Sequence, residues 1–181
     1  IMFGLNMIVH KGRTIFVGDT SVHEYPTSEQ MAEIAISTAR VVRLFGFDPK
    51  VAFVSHSTFG QPLTSRTKHI RSAVEILKEK KVDFEFDGDM QPDVALNPEY
   101  EELYPFAKIV GKANILIMPG QHSAAISYKL MKTIGDAKVI GPLLIGLGLP
   151  IEIAPLRSST SEILNLASIA AYSADVIDYK K

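Results

Sequence analysis

Apolar positions recur at two different spacings along the chain, and the switches between them mark out its elements. Residues 3–9 and 13–17 are apolar, strand-like runs separated by His10, Lys11 and Gly12, which predicts a hairpin with glycine supplying the unusual backbone angle. After Pro26 the spacing becomes helical. Met31, Ile34, Ala35, Val42 and Phe45 fall on one face, Thr27 and Gln30 are spaced as a capping box, and Gly46 marks the end. Residues 51–54 are an unbroken apolar run. Ile70, Val74 and Leu77 then predict a helix whose opposite face is charged through Arg71, Glu75, Lys78 and Glu79. Residues 82–86 read as the next strand, followed by a polar segment and a short helix over 98–103. Residues 114–118 are a strand, and 124–134 a helix stopped by Gly135. Residues 139–147 and 151–154 supply further extended segments. Ser159 and Glu162 form a second capping box, opening a closing helix with Ile163, Ala167, Ala170 and Ala174 on one small apolar face.

Strands alternating with helices predict a three-layer α/β/α sandwich, its sheet mostly parallel in the middle and antiparallel at the opening hairpin. The runs at 51–54 and 114–118 are nearly unbroken and apolar, and 82–86 is apolar at Val82, Phe84 and Phe86; all three are expected in the centre of the sheet with helices on both faces. Ligands of such sheets bind beyond the carboxyl ends of strands. Here the strands run into Asp19-Thr20, into Ser55-His56-Ser57-Thr58, into Asp87-Gly88-Asp89 and into the segment 119–123, which are expected to line one cleft. Turn and cap formation explains such residues equally well one at a time.

Composition narrows the function. With 19 basic and 20 acidic side chains the net charge is −1, so no bulk field draws the chain to nucleic acid or to an anionic membrane. The length suits one domain or one domain with a docking segment. No continuous apolar run is long enough for a membrane span, and the absence of cysteine excludes disulfides and thiol chemistry and suits a cytoplasmic location. The opening Ile-Met-Phe-Gly lacks signal-peptide character and reads as a cut inside a longer protein.

Few residues form a recognisable catalytic or metal motif. Asp87, Asp89, Gln91 and Asp93 carry oxygen ligands, but the twelve-residue calcium-loop spacing fails, and they read as solvated loop carboxylates that cap the next helix. The histidines at 10, 23, 56, 69 and 122 never take a zinc-site spacing, so no metal is expected. The serine-hydrolase, P-loop and dinucleotide-binding signatures are absent.

Eight segments, in order, carry a resemblance. They are FVGDT at 16–20 with Pro26, EIAISTA at 33–39, PKVAFVSHSTFG at 49–60, DGDMQPDVA at 87–95, GKANILIMP at 111–119, Tyr128-Lys129-Leu130, Ile140-Gly141-Pro142-Leu143 and ILNLA at 163–167. Together they resemble the phosphate acetyl/butyryltransferase family across nearly the whole chain. The resemblance implies the second lobe of the phosphotransacetylase (isocitrate/isopropylmalate dehydrogenase-like) fold. Residues 1–157 would be that lobe, and 158–181 a C-terminal helix returning to a first lobe not present here. The cleft candidates are Ser55, Ser57, Thr58, Asp87, Gln91, Asp93 and Arg157.

Transferases of the family use a serine to stabilise the tetrahedral intermediate, an adjacent arginine to bind phosphate, and an aspartate to take the thiol proton. Aligned through Pro150 and Asn165, Pro155 stands at the serine, Leu156 at the arginine and Glu162 at the aspartate. This loss resembles the domains fused behind NADP-dependent malic enzymes. It implies an acetyl-CoA-sensing, oligomerising part of such an enzyme, with acetyl-CoA or a related CoA ester and further copies of itself as partners. The parent reaction would be oxidative decarboxylation of malate to pyruvate, with NADP and magnesium or manganese held by upstream domains and no cofactor held here. The alternatives are an active phosphate acyltransferase and a purely structural dimerisation lobe.

Overall fold

A computed structural model describes residues 1–176. The chain runs through β1 (Phe3–His10), β2 (Arg13–Gly18), α1 (Ser28–Leu44), β3 (Lys50–Val54), α2 (Ser65–Lys80), β4 (Glu85–Met90) and α3 (Pro92–Leu96). A 3-10 turn over Pro98–Leu103 follows, then β5 (Ile115–Ile117), α4 (Gln121–Ile134), β6 (Lys138–Ile145) and α5 (Thr160–Val176). The part of the C-terminal segment over 177–181 lies outside the described residues.

Local chemistry explains where the elements start. Lys11 and Gly12 both take positive φ, 47° and 78°, giving the mirror-image two-residue turn that matches strand twist. His10 pairs with Arg13 across it. At the start of α1 the Gln30 amide donates to Thr27 Oγ1 at 3.2 Å and the Thr27 amide donates to Gln30 Oε1 at 2.8 Å, so the capping box forms as its spacing predicts. The box of α5 forms in the same way between Ser159 and Glu162.

The six strands stand in the order β4-β3-β5-β2-β1-β6. The β4, β3, β5 and β2 pairings are parallel, while β1 is antiparallel to both β2 and β6. This is the mixed, mostly parallel sheet expected. Side chains alternate between its faces: Phe16, Val51, Phe53, Ile115 and Ile117 pack with α1 and α2, whereas Val17, Ala52, Val54, Leu116 and Met118 pack with α3 and α4.

Two expectations are corrected. The strand expected over 82–86 begins at Glu85 and stands at the sheet edge, not in its centre; β3 and β5 are internal as expected. Lys81 turns the chain in the left-handed region and 82–84 serve as the approach, so the apolar residues there pack beneath α2 rather than inside the sheet. Only Gly88, Asp89 and Met90 of β4 are buried. The short α3 was missed, hidden behind the polar segment that its proline opens.

α5 lies along the outer strand β6. Leu166 is buried and Ile169 half-buried against the α1-side core, and Tyr172 donates its hydroxyl to the Leu44 carbonyl at 3.1 Å. Its other face is open, with Ile163 and Leu164 exposed.

Candidate functional site

Parallel pairing brings the carboxyl ends of β2, β5, β3 and β4 to one rim. Ser55, Ser57, Thr58 and Gln91 meet there. The Gln91 amide donates to Thr58 Oγ1 at 3.2 Å, its side chain donates to the His56 carbonyl at 3.1 Å, and the Ser57 amide donates to Ser55 Oγ at 3.2 Å. Asp89 anchors this loop from below. Fully buried, it accepts from the Ser57 hydroxyl and, at 3.0 Å, from the Gly60 amide, with Arg71 Nη1 at 3.8 Å.

Asp89 is therefore a buried strut, not the solvated loop carboxylate expected. Nor do residues 87–89 follow a strand: they are part of β4, whose end is Met90. Asp87 accepts the Lys108 amide at 3.0 Å, and Asp93, on α3, accepts the Tyr100 hydroxyl at 3.1 Å. Neither aspartate hydrogen-bonds to the side chains of Ser55, Ser57 or Thr58 in the described residues. The described residues hold no group of three or more side chains suited to a metal.

The β2 end is closed in the same manner. Asp19, almost wholly buried, takes the amides of Gly4, Ser21, Val22 and His23 and the His23 Nδ1 at 2.6 Å. Beside it α4 starts at Gly120, where a Cβ would sit 2.3 Å from the Glu24 carbonyl, so only glycine lets these two segments touch.

Pro155, Glu162 and Asn165 gather elsewhere, around a cavity of about 50 Å³ between α4, the middle of β6 and α5. Lys132, which no feature of the sequence singled out, completes it by donating to Glu162 Oε1 at 2.8 Å. Donation from Lys132, and from the Ser159 amide at 2.7 Å and hydroxyl at 3.0 Å, holds the Glu162 carboxyl down at about 2. Leu156 is fully exposed, and Arg157 is exposed and outside the cavity. The Ser158 hydroxyl is buried against it without a partner among the described residues. Three strands separate β3, which leads into the serine cluster, from β6, which borders the Glu162 cavity. Arg157 makes no hydrogen bond to Ser55, Ser57 or Thr58 among the described residues.

A mixed sheet with helices on both faces, a polar rim and a separate cavity at the outer strand define an α/β/α domain with two candidate sites. The chain belongs to the phosphate acetyl/butaryl transferase family, which it matches over residues 1–171. It is 46% identical over 173 residues to an NADP-dependent malic enzyme of Rhizobium meliloti, covering 96% of this chain and 23% of that protein. It is 33% identical to a phosphate acetyltransferase of Bacillus subtilis, covering 92% of this chain and 52% of that protein. A phosphotransacetylase crystal structure from Streptococcus pyogenes superimposes with a TM-score of 0.91 at 31% identity, over 97% of this chain and 54% of that one. The chain thus spans about half the length of the acetyltransferase and under a quarter of the malic enzyme.

Proposed function

We propose that the chain is the phosphate acetyltransferase-like region of an NADP-dependent malic enzyme, binding acetyl-CoA or a related CoA ester as a regulator and helping assemble the enzyme without transferring the acyl group. The observation that supports the loss of transfer is geometric: Glu162, at the position that the resemblance gives the base, is engaged by Lys132 at 2.8 Å and by the Ser159 amide and hydroxyl. A base for thiolate formation works best near the operating pH. A carboxyl held at about 2 by Lys132 and Ser159 is far too weak to take a proton from a thiol near about 8.5. Pro155 has no hydroxyl to stabilise an oxyanion and Leu156 no charge to hold phosphate. Ligand binding draws on contacts away from the reacting atoms, so it survives this loss.

The unpartnered Ser158 hydroxyl beside Glu162 favours one second reading, a transferase with a displaced serine. One experiment separates the two. The chain is expected to bind acetyl-CoA by calorimetry yet form no acetyl phosphate from acetyl-CoA and phosphate, and the parent enzyme to oxidise malate more slowly when acetyl-CoA is added. Acetyl phosphate formation that disappears in Ser158→Ala would establish the second reading. An acetyl-CoA-indifferent parent would remove the regulatory one.

A further inference from the structure

β6 is the outermost strand, and on its free side the returning segment pairs with it through Leu143 and Glu152. There a side chain takes the place of a neighbouring strand: the Leu144 amide donates to Glu152 Oε2 at 3.2 Å. That is the one hydrogen bond of this carboxyl among the described residues. The group lines a cleft of about 400 Å³ between α1, β6 and α5, whose walls include Val41, Leu44, Phe45 and Ile169.

The charged and titratable groups facing it are few. Arg40 comes from α1 and Tyr172 from α5; β6 contributes only apolar side chains here, and the glycines of the cleft follow it. Tyr172 spends its hydroxyl on the Leu44 carbonyl, and Glu152 forms no ion pair among the described residues. An ionised carboxyl so placed loses hydration and gains a single neutral N–H in return. Burial accordingly pushes Glu152 up to about 7, against which the Leu144 hydrogen bond acts only weakly.

We propose that Glu152 is a proton-operated latch at the outer edge of β6: when protonated it holds residues 150–154 against the strand, and when ionised it leaves the cleft for water and releases them. Residues 155–162 follow directly, so the latch also sets the turn that carries Pro155, Leu156 and Arg157. In the released state the carboxyl returns to its ordinary 4.5. Its closed-state value is the higher one, so the latch is fully engaged below that ordinary value and lost as pH rises through about 7. Between about pH 6 and about pH 8 the ratio of latched to released molecules falls about tenfold.

Amide hydrogen exchange on the 181-residue chain tests this, with intrinsic rates divided out. Protection of the Leu144 amide is expected to fall about tenfold over that range, while β3 amides hold. In Glu152→Gln, which keeps the accepting oxygen but cannot titrate, protection at Leu144 is expected to be independent of pH. Unchanged wild-type protection, or an equal fall in Glu152→Gln, overturns the latch. A second measurement needs no variant: the Glu152 carboxyl carbon must titrate near 7, and a midpoint at the ordinary 4.5 overturns the proposal equally.

Discussion

Asp89 and Glu162 are both carboxylates with short-range donors, but their surroundings assign them opposite work. Asp89 has no accessible surface and joins the Ser57 hydroxyl, the Gly60 amide and Arg71 into the support of the rim loop. Glu162 is partly open to solvent and serves helix α5 as the third residue of its capping box, as well as taking the Lys132 ion pair. Its depressed value has a direct consequence. The Glu162 carboxyl carbon is expected to titrate at about 2, and Lys132→Ala to raise that midpoint towards the ordinary 4.5, since Lys132 is the largest cause. The sign follows: the contribution of Glu162 to stability is present above 4.5 and lost as pH falls through about 2. A midpoint near 4.5 in the unaltered chain would return Glu162 to the list of usable bases. The Ser159-to-Glu162 spacing was legible because a cap is a local pattern, whereas the burial of Asp89 was not. Asp-Gly-Asp has the composition of a turn, and only the placement of β4 beside β3 encloses its second aspartate.

At the scale of elements, what could be read was set by how local the cause is. The Thr27 box and the helical period of α1 lie within a few residues and were recovered in place. The cap of α2 was not, because Thr67 fills the position where glutamate or glutamine is the usual sign, although its hydroxyl accepts the Thr64 amide at 2.8 Å all the same. The edge position of β4 depends on strand order, but Val82, Phe84 and Phe86 alternate with Asp83 and Glu85, the pattern of a segment covered on one face, and the apolar residues of 82–84 find that cover under α2. The hairpin offers a test at this scale. Lys11 is held at φ 47°, a conformation that costs an ordinary side chain but suits asparagine, and it is exposed at the tip. Lys11→Asn is expected to stabilise the chain by about 0.5 kcal/mol, read as a higher urea midpoint at unchanged slope. A lower midpoint would show that the lysine side chain contributes contacts the turn geometry does not reveal.

Over the whole molecule, apolar surface is distributed unevenly. On α4, Ile126, Leu130 and Ile134 are 58%, 52% and 80% exposed and recur at four-residue spacing, which places them in one stripe opposite the core side of that helix. On α5, Ile163 and Leu164 are exposed, as are Ala167 and Ala174 of the small-residue face, while Ala170 is half-buried. The Lys132 to Glu162 ion pair shows that the two helices are neighbours. Scattered exposed aliphatics are ordinary, but a stripe along one helix beside another apolar helix is the pattern of a surface that is covered in use. Each such side chain is worth roughly 1.5–3 kcal/mol when fully buried, and a micromolar dimer needs about 8 kcal/mol beyond the cost of association, so both copies must contribute their stripes. The 181-residue chain is therefore expected to sediment as a dimer or larger assembly at micromolar concentration. The paired substitution Leu130→Glu with Ile134→Glu, at sites that the core does not use, is expected to give a folded monomer with unchanged circular dichroism. A wild-type chain that stays monomeric would show that the stripe does not pair copies of this chain, and a double variant that still assembles would move the interface off α4.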